Sequence, residues 1–251
     1  GDARCLVCGQ ITKATDTRRL AREGKMGQRM VVAVEHNLQK TGKRYRLATA
    51  EDEAIFAQAA VYLEQKIANW PYMERPLPDE LIPENRPLPN AQGLSGVTRF
   101  GIQKFGDLFN PRQKLALVTF LGEIKVSYDQ VLTDCETIHR QISPISFSPA
   151  ELAQAVMGYL AILLTRHADY NSIICMWHVN GEFIAHTFGR QALPMVWDYF
   201  ELNPFSSATG DWSGAINWIS RYIEANPALS NFADSVTNTS ATTLPFLGSY
   251  F

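Results

Sequence analysis

The sequence predicts a mainly α-helical protein with a small α+β module at its N-terminus. Two observations favour this class. Beyond residue 100, proline follows a capping residue at the start of long apolar segments, which is typical of helix N-termini. Segments rich in β-branched residues, which favour strands, occur earlier, within residues 29–49. The 251 residues, 46% of them apolar and 19% charged, are enough to bury a sizeable core.

The N-terminal module is predicted to cover residues 1–70. A Cys-x-x-Cys turn opens it, and a short helix is expected around residues 17–23. Residues 29–37 and 43–49 then have the composition of two strands joined by a turn, which predicts a β-hairpin.

A helix and a proline-rich connector follow the hairpin. Thr49 with Asp52 three residues later forms a capping-box pattern, so a helix is expected to begin there. Residues 71–96 contain six prolines, which exclude a regular helix or a central strand. The leucines and isoleucine in this connector predict an extended arm that packs on another surface.

Residues 97–230 are predicted to form a helical domain. Asn110 followed by Pro111 predicts one helix start, and Ser148 with Glu151 predicts another. The helix that begins after Ser148 is apolar nearly all round, so we expect it to be central to the core.

Two further elements are predicted in this domain. Residues 173–188 are expected to form a hairpin that turns at Asn180-Gly181, a strong type I′ signal. Residues 194–202 are expected to form a short helix, because proline is favoured at a first helical turn. Arg190 and Asp198 are expected to form a structural ion pair.

Basic residues are concentrated near the N-terminus although the whole chain has a net charge of −2. Ten basic residues face only three acidic ones between Lys13 and Arg46. This asymmetry indicates a polyanionic partner, most simply DNA, although a solvated basic face would give the same pattern. The predicted DNA contacts are Arg18, Arg19, Arg22, Lys25, Arg29, Lys40, Lys43 and Arg44.

Cys5 and Cys8 have the spacing of half a zinc site. Zinc needs four ligands, and Cys135 and Cys175 occur singly, so the alternatives are a turn with two reduced thiols or a redox pair. With no disulfide pattern, signal peptide or membrane-spanning segment in the sequence, we expect a cytoplasmic protein without a membrane partner.

No sequence motif of a known catalytic site is present. The five histidines are scattered, and phosphate-binding glycine loops and nucleophile motifs are absent from the sequence. The histidines are therefore expected to be core or surface residues. Asp169, Tyr170 and Asn171 follow a predicted helix, where a capping role is favoured over contacts to a DNA base.

Three stretches, residues 3–34, 105–120 and 168–205, carry a resemblance to a known family. In order and spacing they resemble the middle of the zinc-ribbon-containing adenine-specific DNA methylases of bacteria and archaea, which are encoded near restriction and phage-defence genes. The last stretch, which contains TFGRQALPMVWDYFELNPF, is the longest and most distinctive.

The resemblance implies a division of labour along a longer enzyme. A glycine-rich loop that binds S-adenosylmethionine is expected upstream, and the catalytic Asp-Pro-Pro-Tyr motif downstream. Residues 231–251 resemble the run-in to that motif, so they are expected to form a strand and loop of an α/β methyltransferase sheet. Ser240 stands where the family commonly has aspartate.

Residues 203–205, Asn-Pro-Phe, look like the catalytic motif with one proline lost. The catalytic loop should follow a strand, whereas this tripeptide follows a predicted helix. We therefore interpret it as a helix stop and turn rather than as a catalytic residue set.

The leading hypothesis is a DNA-binding and DNA-positioning segment of an S-adenosylmethionine-dependent adenine-N6 DNA methyltransferase, inactive by itself. The first alternative is a protein-interaction scaffold of a phage-defence system. The second is a small metal or redox module built on Cys5 and Cys8.

Overall fold

The structure is a computed structural model that describes residues 2–5, 7–37, 39, 42–83, 96–142, 147–189 and 192–226. Within these residues the chain is mainly α-helical with small antiparallel β-hairpins, as the sequence predicts. The strand and loop predicted over residues 231–251 lie outside the described residues. The chain divides into two compact units, Gly1–Ile216 and a shorter one that begins at Asn217.

The N-terminal module contains two hairpins and two helices. Its strands are β1 (Ala3–Arg4), β2 (Ile11–Thr12), β3 (Val32–His36) and β4 (Lys43–Leu47), and its helices are α1 (Ala14–Arg22) and α2 (Ala50–Ala68). Strand β1 pairs with β2, and β3 pairs with β4, both antiparallel. The predicted capping box is confirmed, because the Thr49 side chain accepts from the Asp52 N–H while the Asp52 carboxylate accepts from the Thr49 N–H.

Helix starts in the rest of the chain follow the predicted capping residues. The helices are α3 (Pro111–Val126), α4 (Tyr128–Gln141), α5 (Pro149–Asp169) and α6 (Trp212–Ala225). Asn110 caps α3 and Ser148 caps α5, each with proline at the start of the helix and a complete capping box. Helix α4, which follows α3 after the single residue Ser127, has no such signal and was not predicted.

Helix α5 is less central than its apolar sequence suggests. It packs against α3 and α4, but only Ala153, Leu163 and His167 are buried along it. Tyr159 and Ile162 stay exposed. The prediction that α5 is central to the core is therefore not confirmed, because among the described residues its contacts with α3 and α4 leave much of its surface exposed.

The main buried cluster lies where the connector meets the segments around residues 97–108 and 193–196. Ile82, Val97, Ile102, Leu108 and Ile174 form it. The Ile82 N–H donates to the Gln103 carbonyl at 2.7 Å, and this hydrogen bond attaches the connector to the segment around residues 97–108. The described part of the connector, up to Pro83, thus packs at Ile82, as predicted, whereas Leu81 beside it is 68% exposed.

The segment 194–202 is not a helix, contrary to the sequence prediction. Its backbone groups bond to other parts of the chain instead of to each other. The Phe200 N–H donates to the Cys175 carbonyl, and the Leu202 N–H donates to the Asn171 side chain. Just before the segment, the Leu193 carbonyl accepts from the Val97 N–H. These long-range hydrogen bonds override the local preference that Pro194 suggested. Arg190, the expected partner of Asp198, lies outside the described residues.

The predicted second hairpin is present, but its turn differs. Strands β5 (Trp177–His178) and β6 (Phe183–Ile184) pair with Trp177 opposite Ile184 and His178 opposite Phe183, which leaves a four-residue loop. A type I′ turn needs positive φ at both central residues. Here the positive φ falls on Glu182, at 51°, and not on Asn180 or Gly181, so the predicted turn type is wrong.

Candidate nucleic-acid interface

Helix α1 presents a basic flank. The buried residue of this helix is Ala21. At 3.6 residues per turn, Arg18 and Arg22 both lie to the same side of Ala21, roughly 60° and 100° around the helix axis from it. Arg22 is exposed and Arg18 is half-buried, and Arg29 is exposed in the loop that follows. Among the described residues none of these three arginines has an ion-pair partner. Their charge is therefore available to an external anion.

Two other predicted DNA contacts, Arg19 in α1 and Lys25 in the loop after it, are paired with the carboxylate of Glu23. Glu23 accepts from the Arg19 guanidinium at 2.8 Å and from the Lys25 ammonium at 2.9 Å. The hydrogen bonds from Lys25 and from Arg19 lower the pKa of the Glu23 carboxyl. Arg19 and Lys25 thus share one carboxylate, which reduces the attraction that they exert on a phosphate.

The β3–β4 hairpin divides its basic residues between two faces. Its register places Lys43 opposite His36 and Arg44 opposite Glu35. Because successive side chains of a strand alternate, Lys43 and Arg44 lie on opposite faces. Lys43 shares its face with Tyr45, whose hydroxyl donates to Glu182 at 2.9 Å. The two residues therefore do not belong to one contact surface, and Lys40 lies outside the described residues.

Arg46, on the same face as Arg44, is fully engaged within the protein. Its guanidinium donates to Glu35 at 2.8 Å and to Asp52 at 2.6 and 2.9 Å. The hydrogen bonds that Arg46 donates to Asp52 and Glu35 raise the pKa of Arg46, and those from Arg46 and Thr49 hold the pKa of Asp52 well below its usual range. This ion pair fastens the hairpin to the start of α2.

Helix α1 is held close to the body of the protein. Gly101 has φ of 85° and sits so near α1 that a Cβ there would lie 2.7 Å from the Ala21 carbonyl oxygen and 3.2 Å from the Arg22 Cα. The loop after α1 is attached as well, because the Tyr199 hydroxyl donates to the Gln28 side chain at 2.5 Å. Helix α1 with Arg18 and Arg22 thus packs closely against Gly101, and the loop that carries Arg29 is bonded to Tyr199 through Gln28.

Tyr199 belongs to a polar network at the start of α3. The Asn110 amide donates to the Tyr199 hydroxyl at 3.1 Å and to Glu201 at 2.8 Å. Glu201 also accepts from the Arg112 guanidinium. Burial raises the pKa of Tyr199, so its hydroxyl stays protonated and can donate to Gln28. The network joins the loop after α1 to the helical body.

An exposed tryptophan lies beside Phe100. Trp197 is 62% exposed, and its ring packs edge-to-face on Phe100, with 5.0 Å between centroids and 81° between planes. Phe100 directly precedes Gly101, which touches α1. Arg99 is exposed next to Phe100. Arg99 is absent from the predicted DNA contacts because it lies far along the chain from the basic segment. The fold places its neighbour Gly101 close to helix α1.

Asp169 and Asn171 have the structural roles favoured by the sequence. Asp169 accepts from the His186 ring at 2.8 Å and from the Phe188 N–H at 2.9 Å. The Asn171 side chain is 1% exposed, and its oxygen accepts from the Leu202 N–H at 3.1 Å and from Gln113 at 3.3 Å. Both side chains hold the segments that follow α5, and Asn171 is not accessible to a DNA base.

Residues 203–205 form a turn. The Asn203 side chain accepts from the Phe205 N–H at 2.9 Å, and the Asn203 carbonyl accepts from the Ser206 N–H at 3.1 Å. The tripeptide follows neither a strand nor a helix. It is thus a turn without the helix that was expected before it.

Cys5 and Cys8 form a compact knuckle between β1 and β2. The Cys8 N–H lies 3.5 Å from the Cys5 sulfur, the Gly9 N–H donates to the Cys5 carbonyl at 3.0 Å, and Gly9 has φ of 73°. Hydrogen bonds from the Cys8 and Val7 backbone lower the pKa of the Cys5 thiol. This donor set suits zinc, but the described part of the chain contains no group of three or more metal-binding side chains.

Comparison with protein-family models, curated proteins and solved structures finds no match to this chain. No helix among the described residues is long and apolar enough to span a membrane. Functional inference therefore rests on the geometry of the basic surface and on the sequence resemblance.

Proposed function

We propose that this chain binds and positions DNA within an adenine-N6 DNA methyltransferase that uses S-adenosylmethionine. The observation that carries the proposal is a set of three arginines, Arg18, Arg22 and Arg29, that have no ion-pair partner among the described residues. The helix and loop that carry them lie against Gly101 and are bonded to Tyr199. Arginines that contact phosphates fix the orientation of a protein on DNA without reading its sequence. The resemblance stated above supplies the reaction class.

In this proposal, chemistry and positioning belong to different parts of one enzyme. Adenine N6 is a poor nucleophile, and in the family the Asp-Pro-Pro-Tyr loop accepts its N–H bonds while the aromatic residue stacks on the flipped base. That loop and the loop for the methyl donor are expected outside the described residues. Residues 231–251 would then lead into the methyltransferase sheet. We expect the isolated chain to bind DNA without methylating it.

Salt dependence of binding tests the role of the arginines. Binding of a duplex of about 30 base pairs should weaken as salt rises, because each phosphate contact releases counterions. Replacing Arg18 and Arg22 by alanine should make the slope of log affinity against log salt less steep by about 1.8, if each arginine contacts one phosphate. Fluorescence anisotropy at several salt concentrations gives this slope.

The matched control removes the same charge elsewhere. Arg75 and Arg140 are exposed and lie outside the basic flank. Replacing both by alanine should leave the slope nearly unchanged. Equal effects of the two double variants would show that net charge, and not this surface, determines binding. Complete absence of DNA binding by the unaltered chain would instead favour the scaffold of a phage-defence system.

We also propose zinc at Cys5 and Cys8, with the remaining ligands supplied from outside the described residues. The low pKa of the Cys5 thiol and the knuckle geometry support it, since zinc binds thiolates. Metal analysis of the purified protein should find zinc in the unaltered chain and less of it after Cys5→Ser. Reversible oxidation of the two thiols without bound zinc would favour the redox alternative.

A further inference from the structure

One carboxylate, that of Glu23, holds two basic side chains at the end of helix α1. It accepts from Arg19 at 2.8 Å and from Lys25 at 2.9 Å. Asp16 is a more distant partner of Arg19, at 3.9 Å, whereas Lys25 has no other ion-pair partner in the part of the chain that the structure describes. Guanidinium and ammonium groups are also the donors that hold phosphates in proteins. Glu23 therefore competes with a DNA phosphate for the same two cations.

The backbone at the end of α1 fixes this arrangement. The Gly24 N–H donates to the Ala21 carbonyl at 3.0 Å, and Gly24 has φ of 73°. The Lys25 N–H donates to the Leu20 carbonyl, also at 3.0 Å. This pair of bonds is the Schellman motif, which folds the chain back over the last turn of a helix. It keeps Lys25 beside Glu23, the C-cap residue.

The stability of α1 does not explain the carboxylate at this position. A negative charge at a helix C-terminus meets the negative end of the helix dipole, which is unfavourable. Its two ion pairs are solvated, since the Arg19 and Lys25 side chains are 54% and 63% exposed, and pairs of this kind contribute little to stability. What Glu23 changes most is the charge that α1 offers to an external anion.

Both cations lie next to the arginines that have no ion-pair partner among the described residues. At 3.6 residues per turn, Arg19 lies roughly 60° around the helix from Arg22. Lys25 lies in the loop that also carries Arg29. If they were released from Glu23, Arg19 and Lys25 would extend the basic flank of α1 without any movement of the backbone.

We propose that Glu23 restrains the affinity of this surface for DNA by keeping Arg19 and Lys25 from phosphates. The inference rests on the proposed DNA-binding function and adds the residue that limits its strength. Each cation that gains a phosphate contact steepens the slope of log affinity against log salt by about 0.9. Glu23→Gln should therefore steepen the slope by about 0.9 to 1.8, the lower value applying if Arg19 moves to Asp16 instead. Its affinity should rise most at low salt.

The test measures binding of a duplex of about 30 base pairs by fluorescence anisotropy at several salt concentrations. Glu64→Gln, at an exposed glutamate of α2, removes the same charge elsewhere and should leave the slope nearly unchanged. In a background that carries Arg19→Ala and Lys25→Ala, Glu23→Gln should no longer change the slope, because the cations through which it acts are absent. Glu23→Ala in the otherwise unaltered chain should give the same slope as Glu23→Gln.

The outcomes separate this inference from the function on which it rests. An unchanged slope in Glu23→Gln, or an equal change in Glu64→Gln, would overturn the role of Glu23 and leave the arginine surface standing. A slope that still steepens when both cations are absent would overturn it as well. Failure of the unaltered chain to bind the duplex would overturn the DNA-binding function itself, and the role of Glu23 with it.

Discussion

Protonation of His167 should destabilise the fold at mildly acidic pH. His167 lies on α5 with 1% of its surface exposed, and its ring packs against Phe120 and Trp212. Neither ring nitrogen has a hydrogen-bond partner among the described residues. Burial lowers the pKa of His167 from 6.5 to about 4. The folded protein therefore holds this ring neutral where the unfolded chain would protonate it.

The sign and size of the effect follow from proton linkage. Because the folded pKa is the lower one, the unfolded state binds more protons between pH 6.5 and about 4, so stability falls as pH falls through this window. Each unit of pKa difference is worth about 1.4 kcal/mol, so the full loss approaches about 3 kcal/mol. Two-thirds of it, about 2 kcal/mol, should appear by pH 5.

Urea unfolding at pH 7.5 and pH 5.0 measures the loss. His167→Leu keeps an apolar side chain of similar size in the cavity and should remove about 2 kcal/mol of the pH dependence. At pH 7.5 the variant should be at least as stable as the unaltered chain, because burying polar atoms without partners is costly.

Equal loss of stability in the unaltered chain and in His167→Leu would refute this reasoning. It would mean that His167 finds a proton acceptor, or that water reaches its ring. The measurement is restricted to pH 5 and above, because below that value carboxylates begin to take up protons and add their own pH dependence to the stability.

Three further predictions concern residues that fix the site. Gly101→Ala should lower the free energy of unfolding by at least about 2 kcal/mol in urea titrations, since φ is 85° and the new Cβ would meet the Ala21 carbonyl; unchanged stability would show that α1 can shift. Asn171→Leu should cost about 2 kcal/mol, because it leaves the buried Leu202 N–H without an acceptor; a neutral result would contradict that role. Asp52→Asn should lower the urea midpoint of unfolding at pH 7, and the decrease should be smaller in the Arg46→Gln background; equal decreases in both backgrounds would show that the pair contributes nothing.

Local signals in the sequence predicted local structure well. Asn110 with Pro111 and Ser148 with Glu151 satisfy the first free N–H groups of a helix by themselves, so the starts of α3 and α5 could be predicted without the rest of the chain. The pairing of β3 and β4 was also predictable, because both strands and their turn are close in sequence.

Features set by distant contacts were not predictable. Pro194 suggested a helix, but the acceptors for this segment and its flanks come from residues as far away as Asn171 and Cys175. The candidate DNA contacts show the same limit. Composition treats Arg18 and Arg19 alike, whereas the fold leaves Arg18 unpaired among the described residues and places Arg19 against Glu23.

The attachments of the segment around Trp197 argue for positioning rather than for affinity alone. A protein that only needs affinity can carry its arginines on a loose arm, since attraction to phosphates tolerates changes in geometry. Here Tyr199 connects the loop after α1 to Asn110 at the start of α3, and α1 lies close against Gly101. A displacement of about 1 Å at a reacting group can cost roughly 100-fold in rate. Under the proposed function, a fixed support for the phosphate contacts would hold DNA in one orientation relative to the reacting adenine.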